Sequence, residues 1–152
     1  MFCKLGLLMK KFFEKAIVSK VDAYAQGLER DIILRLEKQD KSVTATDMPI
    51  TLEAFNYESS DIIVGRVYRV PLVLVWFELK ENQPKEKAFK YIKSTPTAVN
   101  KYNISGEVVM SKGKINVVDC GFFVYITGKE LKKGDFIWAE GRLDVFFKEK
   151  IK

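Results

Sequence analysis

The chain has 152 residues, 47% hydrophobic and 30% charged, which supports a folded core of one ordinary domain or two small ones and excludes intrinsic disorder. Twenty-six Lys and Arg against 20 Asp and Glu give a net charge of +6, which suits an anionic partner but also serves solubility alone. The absence of histidine removes the usual general base near neutral pH and the commonest metal ligand, and the two cysteines, Cys3 and Cys120, form no C-x-x-C pair.

From the N-terminus, MFCKLGLLMKKFF carries an apolar patch far shorter than the roughly 18 residues that span a bilayer, and lysines follow it where a cleavage site would need small residues. A cytoplasmic protein without a membrane span is the expectation. Over residues 10–38, Phe13, Ile17, Val21, Tyr24, Leu28, Ile32 and Leu36 recur at steps of three or four, which predicts one long amphipathic helix. The same segment also reads as two strands, KAIVSKVDAYA and RDIILRLEK, broken at Gln26-Gly27. The helix is the favoured reading of the two.

Strand signals follow in SVTAT, ITLEAF and DIIVGRVYRVPLVLVWFEL, rich in β-branched and aromatic residues. Pro71 cannot donate to a ladder, so a bulge or an edge is expected there, and the run VPLVLVWF (70–77) reads as a strand covered on both faces. Arg66, Tyr68 and Arg69 do not share one strand face, which makes them structural residues. Residues 80–101 turn to lysine, proline and polar side chains, the candidate boundary, with a short helix expected around PKEKAFKYIK.

The remainder is a run of strands: YNISGEVVM, a turn at Ser111–Lys114, INVVDCGFFVYIT bent or divided at Gly121, the loop GKELKKGD, and FIWAEGRLDVFF. This pattern of short strands, a glycine kink and a Gly-Asp turn over residues 102–147 resembles an oligonucleotide/oligosaccharide-binding (OB) fold, a small Greek-key barrel. The fold class expected is therefore α+β and β-dominated, with an OB-like antiparallel barrel in residues 102–152, a basic linker at 80–101, and an N-terminal half at 1–79. That half is either the long helix with antiparallel strands or a second, degenerate OB-like unit. A likeness between DIIVGRV (61–67) and DFIWAEGRL (135–143) speaks for the second version.

Alternation in the last strand assigns Ile137, Ala139, Gly141, Leu143, Val145 and Phe147 to the core, and Phe136, Trp138, Glu140, Arg142, Asp144 and Phe146 to the opposite face. Trp138 beside Arg142 on a half-exposed face suits the stacking of bases or sugars, and Phe123 and Tyr125 join that face if Phe122, Val124 and Ile126 point inward. Lys112 and Lys114 in the hairpin, with Lys129, Lys132 and Lys133 in the next loop, would hold a phosphate backbone. The alternative is packing: Trp138 and Phe146 as cover, the charges as ladder ion pairs, the lysines as solvated turn residues.

None of the nine glycines forms a phosphate-binding loop, and no carboxylate pair stands out by spacing. The function expected is a non-catalytic binding module with no cofactor and no metal, its ligand single-stranded DNA or RNA. The rival is an accessory or inhibitory protein that meets a protein partner through the same face or a strand edge. A hydrolase working with carboxylates alone is the third option.

Overall fold

A computed structural model describes residues 10–23, 30–39, 41–47, 62–81, 84–95 and 98–147. A 3-10 turn at Lys10–Phe12 precedes ten strands: β1 (Glu14–Ala23), β2 (Arg30–Leu36), β3 (Lys41–Asp47), β4 (Val67–Val70), β5 (Leu72–Lys80), β6 (Ala88–Thr95), β7 (Ala98–Lys112), β8 (Ile115–Asp119), β9 (Phe123–Thr127) and β10 (Phe136–Val145). The chain divides into two compact units, Leu72–Leu143 and the residues on either side of it up to Pro71 and from Asp144. Among the described residues no helix is long and apolar enough to cross a membrane.

In the flanking unit β4, β1, β2 and β3 lie side by side in that order, and Asp144 at the end of β10 pairs in parallel with Thr46 of β3. The long helix is not formed. β1 and β2 are antiparallel strands, with Ile32, Leu34 and Leu36 wholly buried at every second position and Ala16 and Val18 buried opposite them. The reason is arithmetic. The apolar stripe that suggested a helix advances almost entirely in steps of four, which one face of a strand also accommodates, as Ile32 and Leu36 do in β2, while Ile17 of β1 pairs with exposed Arg35 on the other face. The ladders to β2 and β4 and a bulge between Val18 and Lys20 then decide the matter for the β-branched residues of this segment. The break at Gln26-Gly27 and the ITLEAF segment lie outside the described residues.

The likeness between DIIVGRV and DFIWAEGRL does not extend to the conformation of the two glycines. Gly65 is in a left-handed turn before β4 at φ +90°, whereas Gly141 is within β10, so the two Gly-Arg pairs are not equivalent. Tyr68 has the structural part assigned to its cluster: its hydroxyl accepts a hydrogen bond from the Ile63 amide at 2.9 Å and its ring meets Phe147 edge-on at 5.2 Å.

The Leu72–Leu143 unit is a closed barrel of five strands in the cyclic order β7-β8-β9-β5-β10, shut by the antiparallel pairing of β10 with β7. β5 enters it from ahead of the lysine-rich segment and runs parallel to β9, Val73 beside Tyr125 and Leu74 beside Ile126. The short helix expected around 84–93 is strand β6, antiparallel to the first half of β7. Its aromatic residues explain the difference. Phe89 stacks on Tyr102 at 4.5 Å and meets Phe122 edge-on at 4.7 Å, while Tyr91 meets Tyr102 at 5.2 Å, contacts that only a two-residue alternation can make from one element. Gly121, at φ +112°, divides β8 from β9 as expected.

Candidate functional site

The outer face of β5, β10 and β7 is built by strand pairing. Register sets Arg142 opposite Lys101, Glu140 opposite Asn103 and Trp138 opposite Ser105. Ala139, Gly141 and Leu143 are buried between them, as alternation requires, and Phe122, Val124 and Ile126 of the neighbouring segment are buried too. β6 continues the rows, with Lys90 opposite Asn103 and Lys93 opposite Lys101.

The most exposed aromatic residue on this face comes from β5. Trp76 is 79% exposed and holds a left-handed backbone, φ +49°, inside a strand. Burial changes character there: Leu72, Val73 and Leu74 are buried, whereas Trp76, Glu78 and Lys80 face outward in alternation with half-buried neighbours. The run VPLVLVWF, expected to be covered on both faces, is covered on both only as far as Leu74. The guanidinium carbon of Arg142 lies 4.1 Å from the centre of the Trp76 ring, a cation–π stack that leaves an aromatic surface on display. Sequence reasoning missed Trp76 because a run of apolar residues carries no mark of the position where its backbone turns over.

Gly141 makes the stack possible. A Cβ there would stand 2.8 Å from the Val75 carbonyl oxygen and 3.0 Å from Phe77 Cα, so only glycine lets β10 approach the backbone on both sides of Trp76 and bring the next residue, Arg142, to its ring. Gly141→Ala is expected to cost about 1–3 kcal/mol and to loosen the stack. Urea unfolding, with tryptophan emission of the folded state, checks both.

Trp138, the aromatic residue first expected to stack, is half-buried, and its indole N–H donates to the Pro84 carbonyl at 2.9 Å. Phe136 and Phe123 are half-buried, and Tyr125 is only 5% exposed, with burial pushing its phenol pKa up. Arg142, by contrast, stacks on the exposed ring of Trp76. Lys112, Lys114, Lys129, Lys132 and Lys133 are all exposed on the hairpin and the following loop.

Electrostatically, two of the cations on the strand face are held by one carboxylate. Glu140 bridges Lys80 at 3.2 Å and Lys101 at 3.3 Å, and Lys87 pairs with Asp119 at 2.8 Å. Partial burial raises the Glu140 carboxyl pKa, but the hydrogen bonds and charges of the two lysines outweigh it and hold that pKa below the usual range. The hydrogen bond to Glu140 and the charge of Glu78 hold the Lys80 ammonium above its usual value. A carboxyl lowered in the folded state stabilises fully above its unfolded pKa near 4.5, and the contribution is lost as pH falls through the folded value. Glu140→Gln is accordingly expected to cost no more than about 1 kcal/mol at pH 7 and less near pH 3. Urea midpoints at the two pH values test this.

Among the described residues no group of three or more acidic or cysteine side chains is placed to hold a metal ion. Compared with protein-family models, with curated proteins and with solved structures, the chain matches none.

Proposed function

We propose that the barrel is a non-catalytic binding module for single-stranded nucleic acid, with a base stacking on the open side of the Trp76–Arg142 pair. The observation that carries this reading is Trp76 itself: an indole 79% exposed, in a backbone conformation that costs a non-glycine residue about 1–2 kcal/mol. Among the described residues the stack on Arg142 offsets only part of that cost, whereas every base offers the indole a flat face worth about 1–3 kcal/mol. Lys80, Lys101 and Lys90 lie on the same outer face and favour an anionic ligand there.

The barrel's strand order supports an OB-like reading of a particular kind. If β7, β8, β9 and β10 stand for the first four strands, β5, which comes first in the chain, takes the place of the fifth beside the third. The fold would then be a permuted OB-like barrel. Val117 and Tyr125, on the outer side of β8 and β9, are buried, which favours β5 and β10 over that pair of strands as the binding face.

Anisotropy of a labelled dT12 titrated at about 50 and 200 mM salt tests the proposal. Expected is binding that weakens with salt and weakens at least about tenfold in Trp76→Ala. Absence of binding at the lower salt overturns it and turns attention to a protein partner at the same residues, since Trp and Arg are also the side chains that anchor protein interfaces.

A further inference from the structure

Five lysines at one end of the barrel differ from those on its strand face. Lys112 and Lys114 belong to the β7–β8 hairpin, Lys129, Lys132 and Lys133 to the loop before β10, and none of them forms an ion pair among the described residues. By contrast Lys80, Lys87 and Lys101 are each held by a carboxylate. The acids in the segment 111–135 are Asp119, Glu130 and Asp135, and the first of these is occupied by Lys87.

The two loops are also fastened to each other. Asn116 is wholly buried, and its amide nitrogen donates to the carbonyls of Ile126 at 3.1 Å and Lys129 at 2.7 Å. Its amide oxygen accepts from the Leu131 amide at 3.3 Å and from the Ser111 hydroxyl at 2.7 Å. Gly128 N–H donates to the Lys114 carbonyl at 2.9 Å, and Val108 exchanges hydrogen bonds with Gly134 and Asp135, both at 2.8 Å. A buried amide with every polar atom satisfied rigidifies what it joins, and here it joins the backbones that carry the lysines. Their backbones are thus held in place at one end of the barrel, five lysines against Glu130 and Asp135, with none of the five in an ion pair among the described residues.

We infer that this loop pair is a second anchoring point on the same ligand, a clamp for the phosphate backbone of the strand whose base stacks on Trp76. The inference rests on the single-strand reading above. It divides the labour: the strand face, where Lys80 and Lys101 are already paired with Glu140, supplies stacking, and the loop end supplies most of the charge contacts.

The test compares the full chain with Lys112→Gln/Lys114→Gln/Lys132→Gln/Lys133→Gln and with a control of equal charge change, Lys15→Gln/Lys20→Gln/Lys38→Gln/Lys41→Gln. Binding of labelled dT12 is followed across a salt series, together with quenching of tryptophan emission at saturation. For single strands the slope of log K against log salt is about 0.7 per phosphate contact, so the loop variant is expected to lose about 2–3 units of slope. Quenching at saturation is expected to persist, and the control to keep the original slope. An unchanged slope in the loop variant, or an equal loss in the control, overturns the clamp and leaves the stacking site standing. Absence of dT12 binding by the unsubstituted chain overturns both.

Discussion

Gly106→Ala is expected to cost about 3 kcal/mol or more, the largest loss of stability from any one methyl group added to this barrel. A Cβ at this position would lie 2.0 Å from the Asp119 carbonyl oxygen and 2.6 Å from its carbon, both backbone atoms, so no rotamer change can relieve it. Gly106 marks the place where β7 changes neighbours: Ser105 pairs with Ala88 of β6, Glu107 with Asp119 of β8, and Gly106 itself faces Ile137 of β10. Three strands converge on one residue, and the barrel closes there. Gly113→Ala is the proper contrast, since that glycine has φ +63° and open space around it, so only the left-handed backbone is penalised, at about 1 kcal/mol. Urea midpoints rank the two, and a Gly106→Ala cost no greater than that of Gly113→Ala would show that β7 and β8 separate easily.

The sequence makes the barrel's later strands legible because each carries a local signal: Gly121 between two β-branched runs, a Gly-Asp turn before β10, and an alternation in which Ala139, Gly141 and Leu143 are indeed buried. It hides the partners. β5 joins β9 and β10 over more than 45 positions of chain, and no residue in VPLVLVWF announces that pairing. The N-terminal segment misleads for a different reason, since its four-residue steps satisfy both periodicities and only long-range pairing separates them. At the candidate site Arg142 is readable as an outward charge on a core strand. Its partner is not, because the left-handed turn at Trp76 and the close approach of Gly141 to its flanking residues bring together two strands far apart in the chain.

At Trp76 stability and binding are expected to move in opposite directions. Within a strand glycine is ordinarily worse than alanine, by roughly 0.5–1 kcal/mol, because it loses more backbone freedom on folding. At φ +49° the order reverses: alanine, like tryptophan, carries the left-handed penalty of about 1–2 kcal/mol, and glycine does not. Trp76→Gly should therefore be more stable than Trp76→Ala by up to about 1 kcal/mol and no less stable than the unsubstituted chain, the stack given up among the described residues being the exposed one on Arg142, worth about 0.5–1 kcal/mol. Both variants should lose dT12 binding by at least about tenfold. Thermal unfolding and the anisotropy titration give the two readouts on the same samples. If Trp76→Gly is the less stable variant, the strand does not store strain at this residue and the physical case for display collapses. If it is the more stable and still binds dT12 as well as the unsubstituted chain, the strain is real but serves something other than stacking a base, and a protein partner reading the same indole becomes the better account. Gain of stability with loss of binding is the outcome that a tryptophan kept for its ligand, at the expense of its strand, must give.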